Sequence, residues 1–166
     1  MLEKIRAQWT KVIHPFALGL LKLGVTPDMV TWTGTIATII VALVFFPQGW
    51  LWQGVAVLAL FIFSDSLDGT MARESGSSSK WGAFLDSTLD RLADGAIFGG
   101  IAIYYAAQPD GLLWCAVAIG ALVFALVTSY SKARGESVGI EVHAGFAGRA
   151  DRLLVVCSVC CSPVSV

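Results

Sequence analysis

Five aspartates interrupt or border stretches otherwise apolar enough to lie in a lipid bilayer: Asp65, Asp68, Asp86, Asp90 and Asp94. A carboxylate at mid-membrane costs about 2.5–3.5 kcal/mol on insertion scales, and less near the interface. Five uncompensated ones would cost on the order of 10 kcal/mol, so such residues pair, line a water-filled cavity or bind a cation. Asp65 and Asp68 are three residues apart, and Asp86 and Asp90 four apart. On helices each pair therefore shares a face, with Asp94 one turn deeper. A short hairpin joins the two segments and sets the pairs across a cleft. With only Arg73 and Arg91 close by, four converging carboxylates repel one another until cations arrive. Oxygen-only donors select hard ions, hence Mg2+ or Mn2+, and two such ions about 3.5–4 Å apart suit phosphoryl transfer. Salt bridges to Arg73, Arg91 and Lys80 would leave carboxylates unpaired. A proton or cation pathway is the competing chemistry, but no repeated half or Gly/Pro-broken helix pair of a transporter is visible.

Small residues flank the acids. Gly69, Ala72 and Gly82 leave room for a flat ligand to approach backbone, and Arg73 supplies a planar cation suited to phosphate. Any one glycine alone would read as close helix packing; beside the acids, the set reads as a seat. The stretch Gly76-Ser77-Ser78-Ser79 is a flexible loop that lacks the Gly-Lys-Ser/Thr end of a phosphate cradle. Asp94 is placed to orient Arg91 or a metal-bound water. His14 and His143 have no partner at ligand spacing and read as surface residues. Gly95 and Gly99 invite close helix contact, within the bundle or at a dimer seam. Cys115, Cys157, Cys160 and Cys161 lie in apolar runs and read as packing.

The elements that must position these residues follow from composition. The 166 residues are 56% hydrophobic and 14% charged, with mean hydropathy +0.74 and net charge -1. Soluble domains run near 45–50% apolar and about a quarter charged. The excess excludes a soluble enzyme, a disordered chain and a nucleic-acid binder, and points to an integral membrane protein. Apolar runs near 30–46, 50–64, 83–107 and 112–130 predict four spans, and a fifth begins at Leu153. All eleven Lys and Arg fall in the N-terminal segment, around 67–91, or between Lys132 and Arg152. The positive-inside rule makes those three regions cytoplasmic. Leu2 to Leu21 reads as an interfacial amphipathic helix, kinked or broken at Pro15. The expectation is one all-α membrane domain over 1–166: a helical bundle with an interfacial segment over 1–24 and a C-terminal end that looks truncated.

The pattern Asp65-x2-Asp68-Gly69-x2-Ala72-Arg73-x8-Gly82-x3-Asp86-x3-Asp90 is the signature of the CDP-alcohol phosphatidyltransferases, and every defined position matches. The chain resembles that family from about Thr26 to Arg152, and its actinobacterial phosphatidylinositol phosphate synthases in particular. The stretches from Thr26 to Thr31, Ser129 to Arg134 and Gly145 to Arg152 carry the finer likeness. The resemblance implies transfer of a phosphatidyl group from CDP-diacylglycerol to an alcohol, with release of CMP. It implies that Asp65, Asp68 and Asp86 hold two divalent ions, Mg2+ or Mn2+, and that Asp90 is the general base and also touches metal. Gly69, Ala72, Arg73 and Gly82 would seat the cytidine diphosphate together with Asp68, and Asp28 and Thr31 would reach it. Ser129, Lys132, Arg149 and Arg152 would bind the phosphate of an anionic polyol phosphate. Their charge suits inositol 1-phosphate and glycerol 3-phosphate alike; the resemblance favours the former. It further implies six spans, a homodimer, and a site on the cytoplasmic side of the cell membrane. The competing readings are a phosphatidylglycerol phosphate synthase and, outside enzymes, a cation-binding or transport protein.

Overall fold

The computed structural model describes residues 13–76 and 79–140, with backbone alone at 60, 62–66 and 68. A helical segment over 13–22 is followed by four long helices: α1 (Pro27–Phe45), α2 (Leu51–Glu74), α3 (Lys80–Ala106) and α4 (Leu112–Ser137). Among the described residues there is no strand. The four helices fall on the four predicted apolar runs. Residues 1–12 of the expected interfacial helix, and the fifth run from Leu153, lie outside the described residues.

Local chemistry explains where the helices begin. Thr26 caps α1 by accepting from the Met29 amide at 3.3 Å, and Pro27 presets the first helical φ where no amide hydrogen is needed. Inside α1 the Thr31 and Thr33 hydroxyls donate back to the carbonyls of Pro27 and Met29, at 3.1 and 2.7 Å. That lets two hydroxyls sit in an apolar helix without lacking partners. Ser79 caps α3 by accepting from the Gly82 amide at 2.9 Å. Between α1 and α2 the chain turns at Gly49, whose φ of 79° is the left-handed conformation that glycine adopts without steric cost.

One boundary lies further on than expected. The second apolar run stops at Asp65 and its last helical turn was expected to carry Asp65 and Asp68, but α2 continues as helix to Glu74. Hydropathy changes at Asp65, yet the segment from there to Glu74 holds no proline, and one glycine costs only about 1 kcal/mol in a helix. The whole first half of the signature, Asp65 to Arg73, therefore rides on one unbroken helix.

α1 is the common wall: both α2 and α3 pack against it, and α4 packs against α3. The core is built from Ala42, Phe46, Leu58, Phe98, Ile101, Ala102 and Tyr105, with Ala118 from α4. Two glycines permit close approaches around α1. A Cβ on Gly100 would stand 2.5 Å from the Ala42 carbonyl oxygen, and one on Gly54 2.5 Å from the Phe46 ring. Gly95 and Gly99, expected at a close helix contact, have nothing within 4 Å of such a Cβ. Within the described bundle it is Gly100, one position further round α3, that faces α1.

The outer surface is greasy. Ile36 and Ile40 on α1, and Leu113, Val123, Phe124 and Val127 on α4, are exposed. α1 and α4 are each long and apolar enough to cross a bilayer. Lipid contact accounts for such a surface, which water would not tolerate.

Candidate active site

The last ten residues of α2 and the first eleven of α3 carry the signature. On α2, residues 65, 68, 69 and 72 recur at three- and four-residue spacing, so they share one stripe of the helix. On α3, Gly82, Asp86, Asp90 and Asp94 recur every four residues and form a second stripe. The stripes belong to consecutive helices, α2 ending at Glu74 and α3 beginning at Lys80.

Burial rises along the α3 stripe. Asp86 is exposed, Asp90 half-buried and Asp94 buried, at 9% exposure. Arg91 lies across the two deeper carboxylates: its Nη2 is 3.2 Å from Asp90 Oδ2, and its Nε 3.8 Å from Asp94 Oδ2. Asp94, expected to orient Arg91 or a metal-bound water, thus stands within ion-pair distance of Arg91.

Of the residues expected to seat the nucleotide, Asp28 and Gly82 are brought together. A Cβ on Gly82 would lie 3.7 Å from Asp28 Oδ1 and 3.4 Å from Ser79 Oγ, so the heads of α1 and α3 meet at Asp28 and Gly82. Thr31 stands one turn along α1 from Asp28, half-buried. On α2, Gly69 has nothing within 4 Å of an added Cβ, which leaves open space above the backbone there. Arg73 Nη2 donates to the buried Thr70 hydroxyl at 3.3 Å. Ala72 is half-buried beside it.

The donor set suits a hard divalent ion. It is all carboxylate oxygen, from Asp86 and Asp90 on α3 and from the positions of Asp65 and Asp68 on α2. Among the described side chains, no three His, Cys, Asp or Glu converge as a ready-made metal cage; Asp65 and Asp68 are described by backbone only.

The acceptor half is less assembled. Ser129 is half-buried on α4, and Lys132 is exposed one turn later. Lys132 Nζ is 3.9 Å from Glu136 Oε1, a partner the sequence reading did not assign. Arg149 and Arg152 lie outside the described residues. His14, expected at the surface with no partner at ligand spacing, is partly exposed and has its Nε2 3.3 Å from Glu74 Oε1 at the end of α2. Ile13 and Ala17 beside it are fully buried, so this segment is docked onto the protein. Nothing in local sequence announces a pair so distant along the chain. Thr70 was missed for another reason: it stands at a variable position inside the signature, where spacing carries no message. At the head of α3, Trp81 and Phe84 stack with ring centroids 5.7 Å apart, both exposed.

Fold and site together define a helical membrane protein in which two neighbouring helices present acids and small residues for phosphate chemistry. The chain belongs to the CDP-alcohol phosphatidyltransferase family, whose sequence model matches residues 24–164, and it is accordingly a transferase of phospholipid biosynthesis. It is 58% identical over 155 residues to a phosphatidylinositol phosphate synthase of Cutibacterium acnes, covering 93% of this chain and 75% of that one. It also superposes on crystal structures of the Mycobacterium tuberculosis phosphatidylinositol phosphate synthase. With CDP-DAG bound, that protein gives a TM-score of 0.84 at 41% identity, covering 89% of this chain and 74% of the other. In complex with manganese and citrate it gives 0.85 at 40%, covering 92% and 74%.

Proposed function

We propose that the chain transfers the phosphatidyl group of CDP-diacylglycerol to the hydroxyl of inositol 1-phosphate, forming phosphatidylinositol phosphate and CMP. The observation that carries this reading is the complete signature laid along the end of α2 and the start of α3, two helices that both pack against α1, with Asp28 set against Gly82 at the seat's edge. The likeness to a relative whose structure holds CDP-DAG supports the donor, and the names of the relatives support the acceptor.

Each residue then has a task. Gly69, Ala72 and Gly82 admit the nucleotide against backbone, bordered by Asp28, Thr31 and Asp68. Arg73, steadied by Thr70, contacts the diphosphate. Asp65, Asp68, Asp86 and Asp90 would hold two divalent ions, Mg2+ or Mn2+; when bound, these offset charge that develops on the phosphates. Asp90 takes the proton from the acceptor hydroxyl. The hydroxyl oxygen bonds to the phosphatidyl phosphorus as the bond to the CMP oxygen breaks. Ser129, Lys132, Arg149 and Arg152 bind the acceptor's phosphate, for which arginine offers a two-pronged contact. The protein works as a homodimer in the cell membrane, with the site on the cytoplasmic side where the basic segments lie.

The test is CMP release by detergent-purified protein given CDP-diacylglycerol and Mg2+, with inositol 1-phosphate, inositol, glycerol 3-phosphate and serine offered separately. Turnover with inositol 1-phosphate alone, lost in Asp90→Asn, is the expected result. Preference for glycerol 3-phosphate would overturn the acceptor, and full activity of Asp90→Asn would overturn the base.

A further inference from the structure

We propose that Arg91 is a positioning residue for the base, clamping Asp90 in place and itself anchored by the buried carboxylate of Asp94. The inference rests on Asp90 being the base, as proposed above, and adds a device that no position of the signature encodes.

Consecutive residues on a helix point about 100° apart, so Asp90 and Arg91 do not meet by default. Here the guanidinium folds back so that Nη2 reaches Asp90 Oδ2 at 3.2 Å, while Nε stays 3.8 Å from Asp94 Oδ2. One planar group thus hydrogen-bonds the first carboxylate and stands in ion-pair range of the second, one turn deeper on the same stripe. The Asp90, Arg91 and Asp94 side chains are 21%, 29% and 12% exposed, so solvent screens the linkage far less than at the surface. Arginine suits the place because its fork is rigid and always charged; lysine would offer one mobile point charge.

The consequence concerns the geometry of proton abstraction. Arg91 fixes the Asp90 carboxylate through Oδ2, and so sets the direction in which it meets an acceptor hydroxyl. Catalytic groups must be held within about 0.5 Å and 10–20° of the productive geometry, and a misplacement near 1 Å can cost about a hundredfold in rate. A free Asp90 among three other acids would swing toward whichever cation lay nearest. Asp94 sits too deep on the stripe to reach the acceptor; its part is to keep Arg91 from following solvent.

The experiment compares Asp94→Asn and Arg91→Gln with the unaltered protein in the same detergent, reading kcat, KM for both substrates, CDP-diacylglycerol binding with Mn2+, and Tm. The expected result is a fall in kcat of about ten- to a hundredfold in both variants. KM and binding for CDP-diacylglycerol stay within about twofold, because neither variant removes a residue of its seat on α1, α2 and at Gly82. Arg91→Lys, which keeps the charge but not the fork, recovers only part of kcat. Unchanged kcat in Arg91→Gln would overturn the clamp, and so would a loss of binding and Tm in step with kcat, which marks a merely structural role. Should Asp94→Asn not accumulate folded, the half-buried Arg91 variants decide by the same criteria. Failure of the parent reading looks different: Asp90→Asn itself would then turn over.

Discussion

Gly100→Ala should damage catalysis from about 15 Å away. Gly100 lies ten residues beyond Asp90 on α3, and each helical residue rises about 1.5 Å. The Cβ of an alanine there would stand 2.5 Å from the Ala42 carbonyl oxygen and 3.3 Å from Phe46 Cβ, roughly 0.9 Å inside ordinary contact. The obstacle is backbone, not the mobile end of a side chain, so α3 must back away or turn. Overpacking of this kind costs about 1–3 kcal/mol, which lowers Tm by about 3–10 °C for a chain of this size. At a helix surface roughly 5 Å from the axis, relieving the overlap by rotation takes about 10°. That swing moves the carboxylates of Asp86 and Asp90 by about 1 Å, enough for a tenfold to hundredfold loss of kcat. Thermal unfolding and CMP-release kinetics on the same preparation read both effects. Gly120→Ala is the control: it lies within α4 with nothing within 4 Å of the new Cβ. It should leave kcat alone and raise Tm slightly through helix propensity. Wild-type Tm and kcat in Gly100→Ala would refute the claim that this contact sets the orientation of α3.

Two further outcomes separate site from scaffold. Gly82→Ala meets only ordinary contacts with Ser79 and Asp28, so Tm should hold while KM for CDP-diacylglycerol rises at least tenfold; unchanged KM would remove Gly82 from the seat. For His14 and Glu74, 42% and 41% exposed, a double-mutant cycle with His14→Ala and Glu74→Gln should give a coupling no larger than about 1 kcal/mol in stability, weakening with added salt. A salt-independent coupling would contradict a solvated ion pair.

Much of this was legible in the sequence, and the gaps have physical causes. Length and hydropathy placed α1 to α4 because lipid-facing helices announce themselves by composition. The end of α2 was misplaced because hydropathy reports where lipid stops, whereas the helix continues until Ser75 and Gly76. The Asp and Gly residues of the signature were visible because four-residue spacing maps onto one helix face. Which glycine of 95, 99 and 100 meets α1 was not, since that depends on the rotation of α3 and so on packing. The pairs His14–Glu74 and Lys132–Glu136 escaped for opposite reasons. The first joins distant segments; the second, though at helical spacing, was hidden behind an expected role for Lys132 in substrate binding.

The stacked Trp81 and Phe84 have a consequence for how such an enzyme meets its donor. Aromatic rings at a helix end settle at headgroup level, and Asp86 and Asp90 follow within about two to three turns on the same helix. On the proposed reading the diphosphate of the donor lies at that same depth, so the lipid reaches the acids by drifting sideways, with its acyl chains still in the bilayer. The quantity that then governs rate is molecules per unit area. Diluting CDP-diacylglycerol with inert lipid or detergent at constant bulk concentration should slow the reaction as its mole fraction falls, whereas dilution with buffer should not. For the lipid the membrane is a solvent of two dimensions, and the aromatic pair fixes the level at which the protein samples it.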